Sequence, residues 1–167
     1  MPARGYADTS VADIIKSAGV SRQTFYELFE SKQDCFLAGW KRRQGAVIKA
    51  VVETSSATVP MERFDDLLQA YLTVMARNPA LSGLYLIGVY AAGREAVAKR
   101  LEMQRQFVDV VAGVLDARSD QDRFACQALV SAISTLVTNA LLEDDPQAVL
   151  DLYEPLVVVA RQLMAAE

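Results

Sequence analysis

The sequence predicts an all-α protein, in which a short N-terminal helix-turn-helix precedes a larger helical bundle. Apolar residues recur at spacings of three and four along most of the 167 residues, and the two-residue alternation typical of strands is absent. Hydrophobic residues make up 52% of the chain, and Leu, Val and Ala outnumber the aromatic types, as in packed helical bundles. Capping residues separate the periodic segments, so we expect several helices joined by short turns.

The first helix is predicted to begin at Ser10, because Asp13 stands three residues further on, the spacing of a capping box. Gly19 is suited to end this helix, since glycine adopts the left-handed C-terminal conformation at least cost. The apolar residues between these two ends fall on one helical face: Val11, Ile14 and Ile15.

A second, short helix is predicted directly after the glycine turn. Ser21 can cap it by accepting a hydrogen bond from an amide two or three residues on. Phe25, Leu28 and Phe29 are predicted to point inward. Ser31 then opens a third, long helix that runs to about Glu53. Two helices joined by a glycine turn form a helix-turn-helix, whose second helix enters the DNA major groove N-terminus first.

The same stretch contains sixteen residues at the spacing of a known family pattern: Gly5, Tyr6, Thr9, Ser10, Val11, Ile14, Ala18, Gly19, Val20, Ser21, Thr24, Phe25, Tyr26, Phe29, Ser31 and Lys32. This pattern resembles the DNA-binding end of TetR-type transcriptional regulators. The resemblance covers the first quarter of the chain. It implies a ligand-responsive regulator, a repressor, that binds a palindromic double-stranded DNA operator as a homodimer and is released by a small hydrophobic effector.

The chain departs from the family pattern at its start. Members of the family carry a helix before the Gly-Tyr pair, whereas only Met1 to Arg4 precede Gly5 here. We therefore expect the first helix of the DNA-binding domain to be missing or truncated. An alternative function follows from this departure: a helical, dimeric ligand-binding module that no longer binds DNA in this form.

Charge is distributed unevenly along the chain. The formal net charge is −4, but residues 1–43 carry +2 and residues 44–167 carry −6. A mildly basic head on an acidic body suits a protein that touches DNA at one end. We place the boundary between a DNA-binding domain and a ligand-binding and dimerisation domain between these two segments.

Candidate DNA contacts lie on and around the second helix. Arg22, Gln23 and Thr24 occupy its first turn, where Arg pairs well with guanine and Gln with adenine. The alternative interpretation of these three residues is a solvated helix start, but the motif around them favours DNA contact. Tyr26 and Lys32 are candidates for phosphate contact, although Tyr26 could equally be a half-buried packing ring. Helix starts can add contacts to phosphates, which makes further candidates of Thr9, Ser10 and Ser21.

Candidate ligand contacts come from aromatic and Met residues in the body. Such residues at helical spacing are more often plain core, but the resemblance implies a ligand cavity somewhere in the body. A mostly apolar lining would suit a hydrophobic effector, without a cofactor. The residues chosen on this basis are Tyr71, Met75, Tyr85, Tyr90 and Phe107.

Composition argues against other classes of protein. The chain has no His, which removes the commonest general base and metal ligand. Cys35 and Cys126 therefore lack a partner for nucleophilic catalysis and are predicted to be buried thiols. No signal peptide is evident, and no apolar run reaches the ~18 residues of a membrane span. We expect a cytoplasmic protein that is neither an enzyme nor bound to a membrane.

The last two helices, predicted over residues 119–143 and 145–165, are expected to form a homodimer. The run Leu156–Val159 covers most of the circumference of the final helix, so one side needs a partner beyond its own domain. Pro155 lies within that helix and should bend it. Pairing with a second copy would create a four-helix bundle.

Overall fold

The structure is a computed structural model that describes residues 5–52, 57–143 and 145–165. The described residues form helices and no strand, which confirms the predicted all-α fold. The helices are α1 (Val11–Ala18), α2 (Arg22–Leu28), α3 (Lys32–Val52), α4 (Pro60–Arg77), α5 (Pro79–Leu86), α6 (Gly88–Ala91), α7 (Arg94–Val114), α8 (Asp120–Leu142), α9 (Pro146–Leu150) and α10 (Tyr153–Met164). Residues 1–4, on which the expectation of a missing first helix rests, and Glu53 lie outside the described residues.

The caps of the first three helices match the sequence predictions. The Ser10 hydroxyl accepts from the Asp13 amide and the Asp13 carboxylate accepts from the Ser10 amide, which completes the capping box. Gly19 ends α1 with φ of 67°, a left-handed conformation that favours glycine. Ser21 caps α2 by accepting from the Thr24 amide at 3.0 Å. Ser31 caps α3 in the same way.

Leu28 is the clearest error in the predicted interior of the head. Its side chain is 66% exposed, whereas Phe25 is buried and Phe29 is half-buried. Leu28 is the last residue of α2, and the chain turns to extended conformation at Phe29, so no described element covers that face. None of the residues of α1 is fully buried either.

Two segments of the body are each divided into two helices, and the second of them is the predicted final helix. The apolar segment before Gly93 divides into α5 and α6 at Ile87. The final helix divides into α9 and α10 at Asp151–Leu152, four and three residues before Pro155. Proline cannot donate to the carbonyl four residues back, and its ring clashes with that carbonyl, which places the break at Asp151.

The main core lies between α4, α7, α8, α9 and α10. Its fully buried side chains include Phe64 and Leu68 of α4, Val137 of α8 and Val149 of α9. Both thiols are free; Cys126 is buried in this core, as predicted, whereas Cys35 is only half-buried in α3. Among the described helices, α8 alone is long and apolar enough to cross a membrane. A core helix passes the same test, and α8 packs on α5, α7, α9 and α10.

A second cluster, called the linking cluster below, joins the N-terminal helices to the body. It brings residues of the N-terminal turn, α3 and the α5–α7 region into one packed group. Its buried members are Tyr6, Phe36, Trp40, Leu84, Val89, Ala92 and Ala96. The predicted domain boundary after Arg43 falls inside α3, so this helix is continuous between the head and the body.

The start of α8 provides a pH-dependent prediction. Hydrogen bonds from the Ser119 and Arg118 amides and from the Ser119 hydroxyl lower the pKa of the Asp122 carboxyl. The folded protein thus binds this proton less tightly than the unfolded chain, and the carboxylate stabilises the fold above the ordinary Asp pKa. We expect Asp122→Asn to lower the melting temperature near about pH 7, and the difference from wild type to shrink towards about pH 3. Thermal unfolding of both proteins across this range tests it, and a constant difference would contradict it.

Candidate DNA-contact and ligand sites

Helix α2 presents a polar, exposed surface at its first two turns. Arg22, Gln23 and Tyr26 are exposed, and the Arg22 guanidinium lies 5.6 Å from the centre of the Tyr26 ring. The Gln23 amide donates to the Glu27 carboxylate at 2.9 Å. This contact orients the Gln23 side chain along the exposed face. Glu27 is exposed and lies on the side of the helix that carries Gln23.

The other candidates around the helix-turn-helix take part in local hydrogen bonds. Thr9 is 3% exposed, and its hydroxyl donates to the Gly5 carbonyl, so its side chain holds the turn before α1. Ser10 and Ser21 are exposed caps. The half-buried Thr24 lies with its hydroxyl 2.9 Å from that of Ser21. The side chains of Ser10 and Ser21 therefore define where α1 and α2 begin.

Lys32 lies at the junction of α3 with the N-terminal turn. Its ammonium donates to the Tyr6 carbonyl at 3.0 Å and lies 4.2 Å from the centre of the Tyr6 ring. Lys32 is half-buried, so part of its charge is used within the protein. A phosphate contact by Lys32 would have to share the ammonium with Tyr6.

The body contains a mostly apolar pocket between α4, α5, α7 and α8. Its empty volume is about 570 Å³, including the open mouth. Tyr71 and Phe107, two of the residues chosen from the sequence, line it with their rings edge to face at 5.9 Å. The other lining residues are Leu67, Leu68, Leu86, Arg100, Met103, Gln104, Val111, Val130, Ile133 and Ser134. We call this space the inner pocket.

A second space, called the outer pocket, adjoins the inner pocket and extends towards α3. It has an empty volume of about 440 Å³. Met75 and Tyr85, also chosen from the sequence, line it together with Trp40, Arg43 and Gln44. Four residues line both pockets: Tyr71, Leu86, Met103 and Phe107. The structure therefore brings four of the five predicted ligand residues to two adjoining spaces.

Tyr90 is the fifth predicted ligand residue, and the structure places it elsewhere. It is 59% exposed and lines neither pocket. Its hydroxyl instead accepts from Nε of Arg100 at 3.2 Å, and the guanidinium lies 5.5 Å from its ring centre. Tyr90 thus contacts the inner pocket only through Arg100.

The polar groups of the two pockets are few. Burial raises the pKa of the Tyr71 hydroxyl to about 12, although the nearby positive charge of Arg100 lowers it somewhat. The buried amide nitrogen of Gln44, in the outer pocket, has no hydrogen-bond partner among the described residues. Neither pocket is lined by an Asp or a Glu of the described chain.

Sequence reasoning missed Arg100, Met103, Gln104 and Ser134. A signal for Arg100 was present, because Ala96, Phe107 and Val111 share its helical face and are apolar. A charged residue on an apolar face indicates a candidate site, since arginine is rarely buried unless its charge is paired. Arg43, which lines the outer pocket, was also missed: it is half-buried, whereas its neighbours Lys41 and Arg42 are exposed.

An apolar surface on α8 and α10 remains uncovered by the described residues. Val158 and Val159 of α10 are 53% and 40% exposed, and Leu136 of α8 is 40% exposed. Ala128 is also exposed, and Ala132 is half-buried. Helix α10 packs against α8, and we call the exposed apolar residues of these two helices the terminal apolar face.

Comparison with known proteins identifies the N-terminal helices. Residues 1–38 match the family described as bacterial regulatory proteins, tetR family. The match covers the helix-turn-helix region and the start of α3, and the rest of the chain lies outside it. Members of this family are DNA-binding transcriptional regulators rather than enzymes, in agreement with the resemblance and with the expected absence of enzyme activity. No curated protein sequence matches the chain.

Solved structures share this TetR-like fold over nearly the whole chain. The fatty acid degradation regulator FadR from Bacillus halodurans superposes with a TM-score of 0.80 at 19% identity, covering 99% of this chain and 92% of that one. A TetR transcriptional regulator from Rhodococcus sp. RHA1 gives 0.71 at 20% identity, with 99% and 89% covered. The transcriptional regulator FadR from Bacillus subtilis, solved in complex with stearoyl-CoA, gives 0.73 at 18% identity, with 98% and 89% covered.

Proposed function

We propose that this protein is a cytoplasmic, ligand-responsive repressor of the TetR type. It binds a palindromic operator as a homodimer and is released by a small effector with a large apolar part. The observation that carries the proposal is the contact, through one packed cluster, between the helix-turn-helix region and a body that contains two adjoining apolar pockets. A sensor needs both sites and a physical connection between them.

The connection runs through Tyr85 and Phe36. Tyr85 lines the outer pocket, and its ring lies 5.4 Å from that of Phe36 in α3. Phe36 in turn lies edge to face against Tyr6, 5.0 Å away, at the start of the helix-turn-helix. A ligand that moves Tyr85 therefore displaces a ring on which the head rests. It releases DNA only if it binds the DNA-incompetent arrangement more tightly than the competent one.

Gly39 allows the close approach of Tyr85 to α3. A Cβ atom at this position would lie 2.6 Å from the Tyr85 hydroxyl oxygen. The glycine therefore lets the ring lie against α3 within the linking cluster. The contact is tight, so a small shift of Tyr85 must be accompanied by a shift of α3 or of its neighbours.

The terminal apolar face supports a homodimer through α8 and α10. Exposed Val158, Val159 and Leu136 would be covered by the same residues of a second copy, as in an isologous two-fold interface. The alanines of α8 permit close approach of the two helices. Such an interface should bury more than ~1,000 Å². The two-fold axis would place two α2 helices on the two halves of a palindromic site.

The fold of the Bacillus subtilis neighbour holds stearoyl-CoA, a ligand with a long acyl chain. This neighbour supports an effector with a large apolar part for the present chain. The lining of both pockets, dominated by Leu, Met and aromatic side chains, supports the same class of ligand.

Substitutions on α2 test the DNA-binding part of the proposal. An operator is first selected from random duplexes with the intact protein. We expect Arg22→Ala and Gln23→Ala each to weaken operator binding by ~1–3 kcal/mol and to relax sequence preference, because their exposed side chains can reach base edges. Lys32→Ala should weaken binding to all sequences alike. Binding isotherms on selected and scrambled duplexes provide the measurement.

Lys99→Ala is the matched control, since Lys99 is an exposed cation of the body. It should leave binding and sequence preference unchanged. If Arg22→Ala and Gln23→Ala bound both duplexes as wild type does, α2 would not be the helix that reads DNA.

A second candidate function is a dimeric ligand-binding module that does not bind DNA. The incomplete burial of α1 and the exposure of Leu28 favour it, because an unsupported helix-turn-helix would not hold α2 rigidly. The selection experiment separates the two functions. Enrichment of a palindromic sequence supports the repressor, and a pool that stays random while ligands still stabilise the protein supports the module.

A further inference from the structure

Arg100 is a buried cation in an otherwise apolar setting. Its residue surface is only 8% exposed, and it lines the inner pocket. Its hydrogen-bond partners among the described residues are two neutral hydroxyls: Nε donates to Tyr90 at 3.2 Å, and Nη2 donates to Ser134 at 3.1 Å. No carboxylate of the described residues forms an ion pair with it.

A guanidinium in such a position is costly unless an anion joins it. Buried charges in proteins are normally paired, since hydroxyl groups replace only part of the lost hydration. Arginine has five N–H donors in a planar fork, a geometry that matches a carboxylate. The two hydroxyl contacts use two of these donors, and they hold the fork in place between α6, α7 and α8.

Neighbouring polar groups of the inner pocket point to the same kind of ligand. Gln104 lies one turn after Arg100 on α7, and its amide donates to the Ser131 hydroxyl at 3.1 Å. The Tyr71 hydroxyl is close enough to Arg100 for the positive charge to affect its ionisation. Because a phenol with so high a pKa stays protonated, Tyr71 is a hydrogen-bond donor at neutral pH. The pocket thus combines a cation with neutral donors, and no carboxylate of the described residues lines it.

We propose that the effector is an amphipathic carboxylic acid whose carboxylate pairs with Arg100 while its apolar chain extends past Tyr71 and Phe107. This inference rests on the proposed ligand-responsive function and narrows its effector from any apolar molecule to an anionic one. The Arg–carboxylate pair is charge-assisted and geometrically specific. Apolar side chains that line the pocket, such as Leu67 and Val111, would bury the alkyl chain of the ligand.

The test compares decanoate with decanamide, which has nearly the same shape without the charge. Affinity is measured by calorimetry, and binding is also followed as the shift in melting temperature. Wild type should bind decanoate about 10- to 100-fold more tightly than decanamide, as expected for a buried charge-assisted hydrogen bond. Arg100→Met, which keeps the length of the side chain but removes its charge, should abolish or reverse that preference. Arg100→Lys should keep part of it.

Arg105→Met is the matched control, because Arg105 is an exposed cation on the same helix. It should retain the wild-type preference for decanoate. Equal binding of decanoate and decanamide by wild type would overturn the inference while leaving an apolar effector intact. A preference of Arg100→Met for decanoate over decanamide would also overturn the inference, even if this variant had a lower melting temperature. Arg100 would then only stabilise the packing of the helices.

Decanoyl-CoA tests whether the protein binds the acyl chain as a free acid or as a thioester. Tight binding of decanoyl-CoA by both wild type and Arg100→Met, without binding of decanoate, would overturn the carboxylate pairing and still support a ligand-responsive protein. If none of these three compounds shifted the melting temperature or changed operator binding, the proposed sensing function would fail together with the inference.

Discussion

Val158→Glu is expected to convert the protein to a monomer and to weaken operator binding by about 100-fold or more. Val158 is 53% exposed in the single chain, so a carboxylate there is tolerated by the fold. In a two-fold dimer two such carboxylates would be buried near each other, at a large desolvation cost. In a dimer, binding of one head to DNA raises the effective concentration of the other head at its half-site. Loss of the dimer removes this gain, which is a factor of about 10² to 10⁴ in affinity. Analytical ultracentrifugation across dilution and operator titration measure both effects.

Leu101→Glu provides the control for this experiment. Leu101 of α7 is 51% exposed, nearly as much as Val158, but it lies outside the terminal apolar face. It should leave both mass and DNA affinity unchanged. Ala132→Glu on α8 should act as Val158→Glu does. A wild-type protein that sediments as a monomer at micromolar concentration, or a Val158→Glu protein that stays dimeric, would refute the interface.

Phe36→Ala is expected to cost about 3–5 kcal/mol of stability and to uncouple the ligand from DNA. Phe36 is 2% exposed and contacts both Tyr6 and Tyr85, so its removal leaves a cavity where the head meets the body. Phe36→Leu is the milder companion, since it keeps most of the volume but loses the ring contacts. We expect it to bind operator and ligand while the ligand no longer releases the operator. Denaturant unfolding and operator release by ligand measure the two effects.

Leu129→Ala serves as the comparison for lost stability alone. Leu129 is 2% exposed in the main core, away from the linking cluster, and its truncation should cost about 2–5 kcal/mol. This variant should still release the operator when ligand is added. If Phe36→Leu responded to ligand as wild type does, coupling would have to run through another contact.

Helix ends in the N-terminal region were predictable because they are set by local chemistry. Ser10, Ser21 and Gly19 act within a few residues of themselves, and each takes the predicted role. The division of the last helix four residues before Pro155 also follows from local backbone chemistry, although the sequence analysis predicted a bend and not a break. The prediction that Leu28 points inward was wrong because periodicity identifies an apolar position, whereas burial depends on what packs against it.

Residues of the ligand site were only partly predictable, for a similar reason. Tyr71 and Phe107 lie on inward faces of α4 and α7, so helical spacing placed them correctly near the pocket. Tyr90 lies on the four-residue helix α6, after the break at Ile87, and this break turns its ring outward. Arg100 was overlooked because the pocket residues were predicted from aromatic and Met side chains alone, although its position on an apolar helical face can be seen in the sequence.

The wall shared by the two pockets implies selection by chain length. Tyr71 and Phe107 stand edge to face and line both spaces. With the proposed effector, a short ligand would fill the inner pocket alone, whereas a longer homologue would have to pass the two rings before it reached Tyr85, the ring that rests on α3. Along a homologous series, occupancy would therefore begin at shorter chains than signalling does. Short members would act as competitive antagonists of the longer ones, and the threshold between the two behaviours would be set by the reach from Arg100 to that aromatic pair.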